Sequence, residues 1–315
     1  MKTTSIVPVA AGIALLALQP FLSPYLQDLV VKIAIYAVFA LSLELLVGVT
    51  GLVSLGHAAF LGIGAYVTVL ASGDAGGSVA TVLPLAVGAA AAYALFVGAL
   101  SLRTKGVYFI MVTLAFAQMA YFVFHDTKLA GGSDGLFLYV KPVLGALNLD
   151  DKRTMYYAVM GSLIGTYAML ALLMRSRFGH ALAGIRVNEQ RMRAAGYATY
   201  WYKLAAFVIA GALAGLAGFL LAVKDGTVNP ELLSWHESGA VLLMLILGGI
   251  GHLRGAVIGA IAFTLLKELF QLESLLGPIA SHWQMTLGIT IIAFVALLPK
   301  GLIGLRQRLT GAAHG

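Results

Sequence analysis

Residues 204–223 read LAAFVIAGALAGLAGFLLAV: twenty residues with no charge, no polar side chain and three glycines. A helix of that length rises about 30 Å, the thickness of a bilayer's hydrocarbon core. Runs of the same kind lie near 5–23, 29–48, 51–71, 79–101, 106–125, 155–174, 238–251, 254–270 and 283–299. The chain of 315 residues is 60% hydrophobic and only 10% charged, against about 25% charged residues in a soluble domain. The pattern predicts an all-α integral membrane protein of about ten transmembrane helices. The run 238–251 is short and is expected to be broken or re-entrant. A transmembrane β-barrel calls for alternating segments of about ten residues, and the sequence contains none. With no cysteine in the chain, disulfides and thiolate chemistry are excluded.

The opening MKTTSIVPVAAGIALLAL is followed by QPFLSPY rather than by a small-x-small cleavage pattern. It is expected to be a retained first helix. With the N-terminus placed inside, 13 of the 20 Lys and Arg fall in inside segments and 7 in outside ones. That bias puts both termini in the cytoplasm. In that count Glu189 is the one acidic residue in an inside loop, and Glu44 lies deep in a span. The net charge of +7 therefore follows from topology and calls for no nucleic-acid partner.

The one long inside loop, 175–203, reads RSRFGHALAGIRVNEQRMRAAGYATYWYK. It divides the chain into six spans (1–174) and four (204–315). From His180 to Ala195 the pattern suits one helix. Ala181, Leu182, Ile185 and Met192 share a broad face, while Arg186, Glu189, Gln190 and Arg193 project elsewhere. Gly179 and Gly196 punctuate its ends. Two readings suit this segment: a basic surface helix resting on lipid headgroups, or a short helix that docks into a partner's groove. NEQRMRAAGY, 188–197, favours docking, because small residues before a glycine suit a helix that ends abruptly against another surface.

Five stretches, in order, resemble the permease subunits of branched-chain amino acid ABC importers, the LivM type. They are GLVSLGHAAFLGIGAY (51–66), TKGVYFIMVTLAFAQM (104–119), GGSDGL (131–136), RSRFGHALAGIRVNEQRMRAAGY (175–197) and GGIGHLRGAVIGA (248–260). The Glu189-x6-Gly196 spacing looks like a divergent form of the coupling motif of ABC importer permeases. The resemblance covers nearly the whole chain and implies the ABC importer permease fold in a bacterial inner membrane. It also implies an assembly with a second homologous permease, two cytoplasmic ATPase subunits that hold ATP and magnesium, and an extracytoplasmic substrate-binding protein. This chain would bind no cofactor of its own. Arg186, Asn188, Glu189, Arg193, Ala195 and Gly196 would form the ATPase-coupling segment. In place of the Gly-Thr-Leu common at this place in the family the sequence has Gly251, His252 and Leu253, so His252 is a departure.

Polar residues inside apolar runs are candidates for a pathway or gate: Glu44, Ser54, His57, Thr113 and Gln118. If the third helix starts near Gly51, His57 lies about 9 Å and Glu44 about 7 Å from the inside face, and a Glu44–His57 pair is geometrically possible. Buried interhelical hydrogen bonding is the plainer role for each of the five. Gly211 with Gly215, and Gly251 with Gly255 and Gly259, recur every four residues, the spacing that lets helices approach closely. GGIGHLRG lacks the lysine-hydroxyl pair of a phosphate-binding loop. The one Gly-x-Ser-x-Gly match, GGSDG at 131–135, is most simply an outside turn, and the scattered histidines form no metal-ligand pair. Catalytic and metal roles are thus not expected. The competing readings are a urea or short-amide importer permease, for which the family also has members, a stand-alone ion-coupled transporter and a membrane enzyme. Ion coupling would depend on a single intramembrane carboxylate, Glu44.

Overall fold

The computed structural model describes residues 19, 23–73, 76–144, 147–272, 282–298 and 301–304. The first apolar run lies almost wholly outside these residues. Among them, six helices are long and apolar enough to cross a membrane, or seven spans if one bent pair counts as a single crossing. Helix α1 (Pro24–Glu44) continues as a π-helical turn, Leu45–Thr50, and ends at Gly51 in the left-handed region (φ 73°). Then come α2 (His57–Ser72), α3 (Val79–Ser101), α4 (Val107–Asp126) and α5 (Lys152–Arg175). Two short helices, α6 (Arg177–Val187) and α7 (Glu189–Ala194), precede the long α8 (Thr199–Asp225). Then follow α9 (Trp235–Gly248), α10 (Leu253–Gln271) and α11 (Trp283–Leu297). Four two-residue strands sit in the loops: β1 (Leu136–Phe137) pairs antiparallel with β4 (Thr227–Val228), and β2 (Val143–Leu144) with β3 (Leu147–Asn148).

Helices α1 and α8 form the buried centre, and α8 packs most extensively on α2 and α3. In lipid, apolar surface gives helices no reason to associate, so close packing must hold them. The sequence supplies it with small residues. Ala86, Ala90 and Ala94 form one fully buried stripe of α3. A Cβ on Gly211 would strike that of Ala94, and one on Gly215 would lie 2.5 Å from that of Ala90. On the other side of α8, a Cβ on Gly218 would strike the Leu61 carbonyl of α2. Backbones thus touch where any larger side chain would separate them. Outward faces carry large exposed apolar groups such as Phe96, Met111, Leu172 and Ile292, as a multi-pass membrane protein requires.

The bundle has two distinct ends. At one, Thr50, Leu102, Gly106 and Arg186 border a common cleft; this is the α6 end. At the other, Lys224 meets Asp28 at 3.2 Å and the β1–β4 ladder ties the loops together. From that far end α9 descends, turns through Gly249–His252 with a bend of 114°, and returns as α10. The pair forms a V. Its arms touch through glycine: a Cβ on Gly259 would strike the Met244 carbonyl, and one on Gly255 the Gly249 carbonyl. Gly251, grouped with them by spacing, instead lies in the turn at φ 95° with nothing within 4 Å of a Cβ.

Three sequence boundaries shift. The helix expected from Gly51 begins only at His57, because Gly51 takes a left-handed conformation and 51–56 is non-helical. The runs 238–251 and 254–270 are the two arms of the V. The helix expected over 180–195 is two helices, for the reason given below.

Gly211→Leu should lower the thermal midpoint in mild detergent by the equivalent of about 2 kcal/mol, an overpacking cost. Gly161→Ala, where a Cβ would meet nothing within 4 Å, should leave it unchanged or raise it. Equal effects would show that the α3–α8 contact does not limit stability.

Candidate functional site

The π turn is built around the absence of a side chain at Gly48. The Glu44 carboxylate occupies the place where a Gly48 Cβ would project. From there its Oε1 accepts the backbone N–H of Gly251 at 2.7 Å, while Oε2 is buried with no hydrogen-bond partner among the described residues. The wide turn is closed by the Thr50 hydroxyl donating to the Leu46 carbonyl at 2.5 Å and by the Leu52 N–H donating to the same oxygen at 2.9 Å. The Gly48 carbonyl accepts Nη1 of Arg186 from α6. Two breaks in the bundle, at 45–56 and 249–252, are thus joined to each other and to α6 by side chains of opposite charge.

Glu44 and His57 do not pair. Two residues along an α-helix is a turn of about 200°, so Glu44 faces away from Ser42, and Ser42 is the residue that meets His57. Its Oγ lies 2.7 Å from His57 Nε2 and donates to the Phe39 carbonyl at 2.6 Å. His57 is fully buried, stacked on Phe39 at 5.4 Å and edge-on to Phe60 at 5.6 Å. Its Nδ1 takes no partner among the described residues. Ser54 is fully buried and accepts the Gly56 N–H at 3.3 Å. A Cβ on Gly56 would collide with the Thr113 carbonyl, and the Thr113 hydroxyl donates to Ile110 at 2.9 Å. Ser54, His57 and Thr113 therefore gather around Gly56. Gln118, five residues on in α4, is turned away from Thr113, and its buried Nε2 is unpartnered among the described residues.

At the α6 end Asn188 breaks the expected single helix. Its backbone is extended (φ −156°, ψ 98°), and its side chain caps α7 by accepting the Arg191 N–H at 2.9 Å. Asparagine favours this geometry because its short carbonyl satisfies an otherwise orphaned helix-start amide. Ala181, Leu182 and Ile185 are buried, and Met192 packs over Gly184. Glu189 is clamped from three sides: Arg193 Nη2 at 2.6 Å, Lys203 Nζ at 2.6 Å, and the Thr199 hydroxyl donating at 3.2 Å. Arg193 Nε also donates to the Thr199 hydroxyl at 3.0 Å. Burial pushes the Glu189 carboxyl up, but the Lys203 and Arg193 contacts outweigh it and hold it below the usual carboxylate range.

Helix α7 ends in a Schellman turn. Gly196 at φ 86° donates to Arg193 O at 2.9 Å, and Tyr197 donates to Met192 O at 3.0 Å. Only glycine enters that conformation without strain. Around this end Ala195 and Gly196 are exposed, and Val187 (83%), Tyr197 (42%) and Trp201 (66%) present apolar surface outward. A cleft of about 350 Å³ separates Ile185, Arg186 and Glu189 from Thr50–Val53 and the start of α4. Sequence reasoning missed Ser42, Gly48, Thr199 and Lys203 as partners. Their only signal is proximity to Glu44 or Glu189 along the chain. Among the described residues no group of three His, Cys, Asp or Glu is placed to hold a metal ion.

A family model described as the branched-chain amino acid transport system permease component matches residues 25–296. The high-affinity branched-chain amino acid transport permease protein LivM of Escherichia coli strain K12 is 29% identical over 91% of this chain and 73% of its own length. LivM of Salmonella typhimurium is 28% identical over 88% of this chain and 69% of its own. The xylose transport permease protein XylH of E. coli K12 is 30% identical over a shorter part, 38% of this chain and 32% of its own. No solved structure matches the chain.

Two measurements test the geometry. Gly48→Ala should displace the Glu44 carboxylate and speed hydrogen exchange at the Gly251 amide about tenfold or more, the value of a charge-assisted hydrogen bond. Unchanged protection would show that Glu44 does not hold the turn. For Glu189, a depressed carboxyl contributes fully above the unfolded value of about 4.3 and loses its contribution as pH falls through the lower folded value. Exchange protection of α7 should therefore stay level from pH 8 to 5 and decline below about 4. The step is on the order of 1 kcal/mol, and Glu189→Gln should remove it.

Proposed function

The chain belongs to the permease family of branched-chain amino acid transport systems, and we propose that it is one of two homologous permeases in an ATP-binding-cassette importer for branched-chain amino acids. Its assembly contains two ATPase subunits, which carry ATP and magnesium, and an extracytoplasmic binding protein. The α6 end faces the cytoplasm of a bacterial inner membrane, in keeping with the Lys and Arg bias. The observation that carries the reading is the α6–α7 unit: a rigid, glycine-ended docking edge linked to the bundle through Arg186 and Gly48.

In this reading the edge of Val187, Ala195, Gly196, Tyr197 and Trp201 enters a groove of an ATPase subunit. Asn188 sets the angle between α6 and α7, and the clamp on Glu189 by Arg193 and Lys203 makes α7 move with the start of α8. When the ATPases close on ATP, α6 carries Arg186 with it. Arg186 moves the π turn at Gly48, and Glu44 passes that movement to the turn of the V at Gly251. The α6 end closes around Ser54, His57 and Thr113 as the far end opens. Release of hydrolysis products returns the bundle to its starting state. The work comes from the difference in ATP binding between the two states. The chain contributes position and linkage, and no chemical step.

Gentle extraction from the native membrane should recover a second permease and ATPase subunits with this chain, identified by mass spectrometry. Val187→Glu, at a side chain with few internal contacts, should cut the recovered ATPase at least tenfold without changing the amount of permease. Tyr139→Glu, exposed at the far end, should not. A chain that purifies alone and transports L-leucine by itself in liposomes would overturn the reading.

A further inference from the structure

The V of α9 and α10 encloses a second cavity of about 350 Å³, walled by α1 and α11 and lying toward the end opposite α6. Its volume is at the low end of small-molecule sites, about 300–1,000 Å³. The mouth carries both signs of charge. Lys32 comes from α1, Lys267 from α10 and Glu237 from α9. Lys32 makes one long contact, 3.9 Å to Glu268, and Lys267 lies over the Trp283 ring at 5.3 Å. Glu237 makes no ion pair within 4 Å among the described residues, so the opposite charges face one space without closing on each other. Below them the lining is apolar, with Met244, Phe263 and Leu287, and includes Thr264. Thr264 is 2% exposed and its hydroxyl takes no partner among the described residues. That is unusual, because a helical threonine ordinarily returns its proton to a carbonyl of the preceding turn.

We infer that this cavity binds a zwitterionic α-amino acid with an apolar side chain. The ligand carboxylate meets Lys267 and Lys32, its ammonium meets Glu237, and its side chain enters the pocket of Met244, Phe263 and Leu287. A simple anion leaves Glu237 unmatched, and a simple cation leaves Lys267 unmatched and Lys32 with only its long contact to Glu268. Only a ligand with both charges satisfies the mouth. Trp283 adds a flat face on which an ammonium group also rests favourably. The Thr264 hydroxyl gives the floor one hydrogen bond for a polar atom that reaches it. The identity of the ligand rests on the importer reading; the site itself does not. In that reading the cavity opens toward the side from which substrate arrives, and α9 and α10 join at the turn that Glu44 holds.

The test uses the Trp201→Phe chain, so that Trp235 and Trp283 at the cavity report. It is placed in nanodiscs of phosphatidylglycerol, a lipid with no ammonium headgroup, and titrated with L-leucine. The expected result is saturable change in tryptophan emission, with affinity at least tenfold lower for 4-methylpentanoate and for isopentylamine, each lacking one charge. Glu237→Gln and Lys267→Met should each weaken L-leucine about tenfold, the loss of one charge-assisted contact. No saturable response, or L-leucine binding unchanged in both variants, overturns the inference. So does a cavity filled only when phosphatidylethanolamine is added, which assigns it to a lipid headgroup. The two readings fail separately. ATPase subunits that co-purify, with normal leucine uptake in both variants, remove the site and leave the importer. Leucine binding without ATPase partners leaves the site and removes the importer.

Discussion

A helix that breaks inside an apolar slab exposes backbone groups that lipid cannot satisfy, so protein must satisfy them. Among the described residues the bundle breaks at 45–56 and at 249–252, and in each break a charged side chain satisfies a backbone group. The Glu44 carboxylate takes the Gly251 amide, and Arg186 takes the Gly48 carbonyl. The first contact requires that Gly48 has no side chain, since the Glu44 carboxylate lies over it. One glycine thereby allows a carboxylate to reach a reversed loop through a space that a methyl group would fill, beside the carbonyl that the guanidinium holds. The arms of the V, the buried start of α2 and the position of α6 all depend on that meeting.

The helices that cross the bundle were legible because length and apolarity are local properties. The runs 79–101, 106–125 and 155–174 correspond to α3, α4 and α5 within a few residues. The small-residue spacing of Gly211 and Gly215 also pointed at a real close approach. What could not be read was how the polar residues pair. Ser42 and Glu44 are two positions apart, and which of them faces His57 depends on the rotation of α1 and on where α2 begins. The π turn and the non-helical 51–56 leave no periodic signature, so a helical rise counted from Gly51 does not apply to His57. The break at Asn188 had a visible cue, a good helix-start residue inside a helical pattern. It was outweighed by the continuity of the apolar face from Ala181 to Met192. The partners of Glu189 were hidden for a different reason, because Lys203 and Thr199 reach it only once α8 has folded back beside α7.

Charge is used differently at the two ends. At the α6 end it fixes shape: Glu189 is surrounded by cations that hold α7 against the first turn of α8. At the far end, around the V, Glu237 and Lys267 face one space without an ion pair between them, and Lys32 reaches Glu268 only at 3.9 Å. The same residue types thus make a rigid clamp in one place and an open mouth of mixed charge in the other.

The Schellman end of α7 has an entropic consequence. A surface loop that is to be covered by another protein normally loses backbone freedom at that moment, about 1–2 kcal/mol per residue fixed. Here the turn at Gly196, the cap at Asn188 and the clamp on Glu189 have already removed it. The exposed groups are economical as well. Val187 has one rotatable side-chain bond, and Tyr197 and Trp201 turn about only two each, so covering them freezes little. If an ATPase subunit covers this edge, as proposed, most of the free energy of covering these side chains is therefore retained as affinity, and the short edge holds it more firmly than its area suggests.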